Sequence, residues 1–247
     1  MAHIDRNALA GAISNVAALT EQQAARLVEE FEAVFARPFA SRLLSLRLLD
    51  VIRGKNPYLY RASGIRTCED LVRRVLQDFV SASVEGDFGK FFESVARVVS
   101  GGVKPVGGGE VDLDIRDGEV ARLYAIKSGP KGFNSSSYDK AMRDLNSAER
   151  RLRQDRVRTE KKVAFAYGKR KSSFADGIER LSSKQFWAEI SGDEDFYQKL
   201  LQICGILAPL YTADMQAPYE GLLHEAHELF CVENEIDWDK ILELVSG

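Results

Sequence analysis

Long apolar runs are missing from this sequence of 247 residues. A membrane-spanning helix needs about 20 consecutive apolar residues, and no stretch of the chain approaches that length. The first residues contain Asp5 and Arg6 and lack a basic start followed by an unbroken apolar stretch. We therefore expect neither a membrane span nor a secretory signal.

Cysteine is scarce as well, and its spacing is irregular. Cys68, Cys204 and Cys231 are odd in number and lie far apart, so they match neither a disulfide framework nor the spacing of a zinc site. We expect no disulfide framework, and this favours a reducing cytoplasmic location.

The usual nucleotide-binding strings are also missing. Residues 107–109 are three glycines, but they precede a predicted strand, whereas a dinucleotide fingerprint follows a strand and opens a helix. The sequence contains no Gly-x-x-x-x-Gly-Lys-Ser/Thr string, so a P-loop ATPase is unsupported.

The charge that is present is unevenly distributed, although the net charge is only −3. Residues 140–171 contain twelve Lys/Arg against four Asp/Glu, whereas residues 189–247 contain two against thirteen. A local basic segment can bind phosphate without making the whole protein basic. The alternative is that this segment is a solvated helix face.

Apolar periodicity divides the chain into helical ends and a mixed middle. Residues 1–55 have helical spacing, with a capping box at Thr20, and the chain from about Lys184 onward is mostly helical and acidic. Between them lie further helices at 67–79, capped by Thr67, and at 87–99, strands at 111–115, 121–127 and 162–168, and a long helix capped within Ser135–Ser137. The order predicts an α/β fold with a small mixed sheet flanked by helices, plus extra N- and C-terminal helices.

Two acids and a lysine meet on the predicted hairpin of this sheet. Asp112 and Asp114 are two residues apart, so their side chains share a strand face, and Lys127 ends the strand that follows the turn. Carboxylates hold Mg²⁺, which activates water, and a lysine can steady the negative charge that develops on a phosphodiester. The alternative is that these residues are solvated polar groups on an exposed face.

The motif around these residues resembles a known family of nucleases. The strings GGGEVDLDI and YAIKSGPKGFNSSS are similar to the PD-(D/E)xK signature, and in particular to type II restriction endonucleases of the PmeII-like group. The matching segments are Val111–Asp114, Ile126–Pro130 and Asn134–Ser136, and the similarity covers about residues 56–150.

The resemblance implies a restriction-endonuclease-like core and a dimeric, Mg²⁺-dependent enzyme that cuts both strands of a short DNA site. It makes Asp112 the metal-binding carboxylate and Lys127 the catalytic lysine. It also implies a companion DNA methyltransferase in the host. We assign residues 56–190 to the nuclease core, 1–55 to an N-terminal helical segment that could serve dimerisation, and 191–247 to an acidic C-terminal segment.

One departure from the family pattern concerns the second acid. The pattern has Asp or Glu two residues before the lysine, where this chain has Ala125. We expect Glu93 or Asp114 to replace it, with Glu85 as a weaker candidate. Glu93 stands beside small residues that allow a tight helix–sheet contact; these are Gly86, Gly89, Ala96 and Ser100. The alternative is a surface glutamate on an amphipathic helix.

The segment after Lys127 is predicted to contact DNA. Its polar side chains and the start of the following helix can donate hydrogen bonds to phosphate oxygens. The predicted contacts are Lys131, Asn134, Ser135, Ser136, Lys140 and Arg143. Two other functions stay open, namely a structure-specific or repair nuclease and a catalytically inactive DNA-binding protein.

Overall fold

The structure is a computed structural model that describes residues 4–105, 109–129, 132–169, 171–212 and 216–246. The chain divides into two compact units. We call residues 35–87 and 209–247, with the first four residues, the helical unit, and residues 5–34 and 88–208 the sheet unit. The predicted segments instead divide the chain at 55 and 190, and that division by function stays a prediction.

Helices form most of the described chain. In chain order they are α1 (Arg6–Ala17), α2 (Glu21–Phe31), α3 (Arg37–Leu44), α4 (Leu48–Arg53), α5 (Pro57–Ala62), α6 (Cys68–Ser100), α7 (Ser135–Gln154), α8 (Ser183–Ser191), α9 (Phe196–Thr212), α10 (Gln216–Phe230) and α11 (Trp238–Ser246). A π-helical turn, Glu32–Ala36, links α2 to α3. The strands are β1 (Leu113–Asp117), β2 (Val120–Lys127), β3 (Arg158–Phe165), β4 (Ser173–Ala175), β5 (Ile178–Leu181), β6 (Cys231–Val232) and β7 (Glu235–Ile236).

The helical unit has its own apolar core. Buried side chains of α3, α4, α6 and α10 meet there, among them Phe39, Leu48, Leu71 and Phe230. The backbone N–H groups of Leu48 and Leu49 donate to the Glu225 carboxylate at 3.0 and 3.3 Å. This carboxylate therefore caps the start of α4, although the residues before α4 supply no side-chain cap.

Helix α6 is longer than the sequence indicates. Thr67 accepts from the backbone N–H of Asp70, so the predicted cap is confirmed. The chain then stays helical to Ser100, whereas two separate helices were predicted. Glycine lowers helix propensity by about 1 kcal/mol per residue, but Gly86 and Gly89 do not interrupt the helix. Burial of Phe91 and Val95 further along outweighs that local preference.

The sheet unit contains a five-stranded mixed sheet in the order β1-β2-β3-β5-β4. β1 pairs with β2 and β4 with β5 in antiparallel fashion, whereas β2, β3 and β5 run parallel. Helix α7 crosses from β2 to β3 and packs its apolar side chains Ala141, Leu145 and Ala148 on the sheet. The prediction of a small mixed sheet flanked by helices is confirmed.

Three strands of the sheet match the prediction, and two more at one edge were not predicted. Strands β1, β2 and β3 lie within a few residues of their predicted positions. The hairpin of β4 and β5 was not predicted, although its turn consists of Asp176 and Gly177, both with positive φ. Asp-Gly is the turn signal expected for such a two-residue hairpin.

The cysteines correct a prediction, and with it falls the argument for a reducing location that rested on their spacing. Cys68 and Cys231 form a disulfide with their Cα atoms 6.4 Å apart, although 163 residues separate them in sequence. The backbone N–H of Cys68 donates to the Asn234 carbonyl, and Thr67 forms a bridge with Glu235. Folding of the helical unit therefore brings together two cysteines whose spacing in sequence gives no sign of it.

The helices also bear on the expectation that no segment spans a membrane. Among the helices of the described residues, none combines the length and the apolar character that crossing a bilayer requires.

Candidate active site

The candidate site lies in the sheet unit, where the parallel strands β2 and β3 end. Lys127 is the last residue of β2 and pairs in register with Phe165, the last residue of β3. In α/β sheets the carboxyl ends of parallel strands are where ligands bind. The predicted catalytic lysine therefore stands where the fold exposes its strand ends.

Asp112 is fixed beside this lysine by the backbone of β2. Its N–H donates to the Tyr124 carbonyl at 2.8 Å, and its Oδ2 accepts from the Ile126 N–H at 2.8 Å. The residue is only 6% exposed. One carboxylate oxygen is thus held by the strand that carries Lys127.

Glu93 comes to Asp112 from helix α6. Lys104 connects the two acids, because its Nζ lies 3.0 Å from Oε2 of Glu93 and 3.4 Å from Oδ1 of Asp112. The two carboxylates therefore converge on one cation. The structure thus brings together Asp112 and Glu93, which were predicted to share a site.

Small residues explain how α6 approaches the strand end. A Cβ atom on Gly89 would lie 2.5 Å from the Ser128 Oγ, so glycine permits this close approach one turn before Glu93. A Cβ atom on Gly86 would have no such neighbour within 4 Å, so Gly86 is not needed for a close approach. Glu85, the weaker candidate, is exposed and belongs to the helical unit.

Burial and charge shift the pKa values of this cluster. Burial raises the pKa of Asp112 to about 6, and the neighbouring Glu93 charge adds to the rise. Burial alone lowers the pKa of Lys104, but its pairing with Glu93 and Asp112 outweighs that effect and raises it. A cation in this position therefore stabilises the charged form of Asp112.

Glu110 is a residue of the site that the sequence analysis missed. Its carboxylate accepts from Lys127 Nζ at 2.7 Å and from Lys140 Nζ at 3.0 Å. The hydrogen bond with Lys127 lowers the pKa of Glu110. Asp144 of α7 holds the Glu110 backbone N–H at 3.0 Å. The available signal was its position two residues before Asp112.

Lys104 was missed as well. It follows Gly101 and Gly102 in a segment that has no helical or strand periodicity, so its sequence context gave no signal.

Asp114 has a different partner from Asp112. Its two carboxylate oxygens accept three hydrogen bonds from the Arg116 guanidinium, at 2.7 to 2.9 Å. Of the two candidates for the second acid, Glu93 is therefore the one that lies at a shared cation with Asp112. Ala125 is fully buried in the apolar cluster beneath α7, which explains why a small apolar residue suits that position.

Helix α7 begins close to its predicted position, but its N-cap is a different residue. Asn134 is the N-cap, and its Oδ1 accepts from the Ser137 N–H at 2.8 Å and from the Ser136 Oγ at 3.1 Å. The cap was predicted within Ser135–Ser137, but Ser135 is the first helical residue. An amide side chain is as good a cap as a serine hydroxyl.

The other predicted DNA contacts lie in different surroundings. Lys140 pairs with Glu110, whereas Arg143 is exposed on α7. Lys131 lies outside the described residues.

The chemistry of the site fits Mg²⁺. That ion is usually bound by one or two carboxylates, with waters and substrate phosphate completing the shell. Glu93 and Asp112 provide two carboxylates that already face a single ammonium. Across the described residues, no group of three or more His, Cys, Asp or Glu is arranged to hold a metal, so a phosphate and water would have to supply the other ligands.

Comparison with known proteins identifies the family. A comparison with curated proteins gives no match. The model of the family described as type II restriction endonuclease EcoO109I matches residues 22–209, about three quarters of the chain. The mixed sheet and its flanking helices are accordingly a restriction-endonuclease-like fold. The chain belongs to the type II restriction endonuclease EcoO109I family.

Proposed function

We propose that this nuclease is a Mg²⁺-dependent type II restriction endonuclease of the PD-(D/E)xK kind that cuts both strands of a short, specific DNA site. The observation that carries the proposal is the convergence of Glu93 and Asp112 on one cation beside Lys127. Glu93 takes the place of the acid that the PD-(D/E)xK pattern has at position 125. The likeness of the motif to the PmeII-like group supports the same conclusion.

Glu93 and Asp112 would hold the ion. When bound, Mg²⁺ polarises the phosphoryl oxygen and lowers the pKa of a coordinated water. Asp112 would offer the oxygen that the Ile126 N–H does not hold, and the strand would set the position of this carboxylate. Asp114, which is paired with Arg116, would stay outside the coordination shell.

Lys127 would act on the scissile phosphate. Its ammonium is held 2.7 Å from Glu110 and lies over the ring of Phe133 at 5.1 Å, so it is positioned before substrate arrives. A pre-positioned cation stabilises the negative charge of the transition state without reorganisation. Glu110 serves as the positioning residue of Lys127 in this scheme.

The DNA would lie along the start of α7 and the basic segment that follows. The side chains of Lys131, Ser135, Ser136, Lys140 and Arg143 would contact phosphates, while Asn134 shapes the helix start. Contacts of this kind set position and affinity and do not read sequence.

The remaining elements of the proposal come from the resemblance to the PD-(D/E)xK nucleases. Two copies of the chain would form a homodimer, each cutting one strand and leaving a 5′-phosphate and a 3′-hydroxyl. A symmetric dimer matches a symmetric site. A companion methyltransferase would protect host DNA in the same cytoplasm.

Digestion of a sequenced plasmid with Mg²⁺ tests the proposal. Discrete, reproducible fragments are expected from the wild-type protein, while Lys127→Ala and Asp112→Ala should bind DNA without cutting it. Nicking or cutting only at branched DNA would instead indicate a structure-specific or repair nuclease. Binding without cutting by the wild-type protein would indicate an inactive relative, and normal cutting by either variant would reject the assigned site.

A further inference from the structure

We propose that Lys104 occupies the metal position in the metal-free enzyme and that a divalent cation must displace it. This inference rests on the proposed function, because it takes Glu93 and Asp112 as the metal ligands. Lys104 Nζ contacts the same two carboxylates, at 3.0 and 3.4 Å. The ammonium is thus a monovalent stand-in for the ion.

The burial of the acids explains why a stand-in is needed. Asp112 is almost fully buried, and the neighbouring Glu93 carries the same charge. Two carboxylates that face one point repel each other, and burial strengthens the repulsion. An ammonium between them keeps both side chains directed at that point in the absence of metal.

The position of Lys104 makes the exchange possible. Its side chain is 48% exposed, whereas that of Asp112 is 9% exposed, so the ammonium can turn into water while the acid stays fixed. Lys104 lies outside any helix or strand, but Val103 before it pairs with Asp114 of β1 through two backbone hydrogen bonds, so the exchange needs only the side chain to move. Asp112 keeps its hydrogen bond to the Ile126 N–H throughout.

Lys104 is also distinct from the lysine that acts on phosphate. Lys127 lies on β2 and is paired with Glu110, and only 22% of its side chain is exposed. The site therefore contains two lysines with separate carboxylate partners. One of them is positioned for the substrate, and the other competes with the cation.

Titration of the metal-depleted protein with Mn²⁺ tests this competition, with unbound Mn²⁺ followed by electron paramagnetic resonance and no DNA present. Lys104→Met should bind Mn²⁺ about 5-fold more tightly than the wild-type protein, the ratio expected when the part-exposed ion pairs of Lys104 with the two carboxylates no longer compete. Lys184→Met, at an exposed lysine of the same unit and outside the basic segment, should match the wild-type affinity. Lys104→Gln provides a second uncharged variant, and thermal melts establish that each variant is folded.

The outcomes separate the two claims. If Lys104→Met and Lys104→Gln bind Mn²⁺ equally or less tightly than the wild-type protein, the displacement is rejected. Asp112→Asn should lose Mn²⁺ binding. Unchanged binding by that variant would reject the metal site itself, and with it the proposed mechanism, whatever the Lys104 variants do.

Discussion

Two lysines of the sheet unit each bridge a pair of carboxylates, yet their surroundings differ. Lys104 contacts Glu93 and Asp112 at 3.0 and 3.4 Å, and Lys162 contacts Glu179 and Glu189 at 2.9 and 2.7 Å. The side chain of Lys104 is 48% exposed, whereas that of Lys162 is 9% exposed. A lysine between two carboxylates therefore occurs once with its side chain exposed at the candidate site and once with its side chain buried.

The elements that carry each cluster explain the difference. Lys162 lies on β3, and its partners lie on β5 and α8, so the cluster joins sheet to helix. Tyr124 also donates to Glu189 at 2.6 Å. Burial is the main cause that raises the pKa of Tyr124, and this hydrogen bond adds to the rise. The Lys162 ammonium is buried between sheet and helix although Glu179 and Glu189 are part-exposed, so it cannot turn into water as the Lys104 ammonium can. Burial, rather than charge count, separates a structural cluster from an exchangeable one.

The largest difference between the two clusters should be seen in the rate of DNA cleavage. Asp112→Asn should slow plasmid cutting by at least about 100-fold, because the loss of one charged group at a reacting centre has effects of that order. Glu189→Gln should cut at a near-wild-type rate, since Glu189 belongs to the structural cluster. Single-turnover rates in Mg²⁺ measure both. Equal losses in the two variants would remove the functional distinction between the clusters.

The stability of the protein should depend more on the Lys162 cluster than on the Lys104 cluster. Lys162→Met leaves Glu189, which accepts from Tyr124, without its cation and should lower the free energy of unfolding by about 2 kcal/mol. Lys104→Met should lower it by less, about 1 kcal/mol, because the ammonium that it removes is half exposed and Asp112 keeps its hydrogen bond to the Ile126 N–H. Urea denaturation in EDTA measures the difference. A larger loss at Lys104 would contradict the comparison.

The raised pKa of Asp112 predicts that its charge lowers the free energy of unfolding in a pH-dependent way. Its folded pKa of about 6 exceeds the ordinary value of 3.8, so its charge destabilises the folded protein as the pH rises through that range. Asp112→Asn should therefore unfold with a free energy about 1 to 3 kcal/mol higher at pH 8, and the gain should shrink by about half at pH 5. Urea denaturation in EDTA at the two pH values measures it, and a gain independent of pH would show that the cause is not the carboxylate charge.

The smallest effect concerns an exposed charge outside both clusters. Arg143→Ala should reduce the slope of log affinity against log salt by about 1, since each phosphate contact releases about one counterion. Gel-shift titrations over a range of salt concentrations measure the slope, and Lys104→Met should leave it unchanged if that lysine serves the metal position. An unaltered slope for Arg143→Ala would place the DNA away from this part of α7.

Local patterns predicted the parts of the site that lie along one strand. The apolar run that ends at Lys127 predicted β2, and the alternation around Asp112 predicted the neighbouring hairpin strand. The missing acid at Ala125, together with the small residues near Glu93, indicated that a helix could supply the second carboxylate. These features depend on spacing within a short segment, which sequence reports well.

The partners that close the site could not be predicted in the same way. Lys104 stands in an irregular segment, so no periodicity fixes its direction. Glu110 meets Lys140 only because α7 crosses back over the sheet. Cys68 and Cys231 likewise meet through the fold of the helical unit. Contacts of this kind depend on tertiary folding, and one sequence carries little information on them.

The most direct test of the central claim compares two glutamates of α6. Glu93 shares a cation with Asp112, whereas Glu85 is exposed. Single-turnover cleavage of one plasmid in Mg²⁺ should be lost in Glu93→Ala and retained in Glu85→Ala. Equal, near-wild-type rates in the two variants would contradict the account and return the second carboxylate to Asp114.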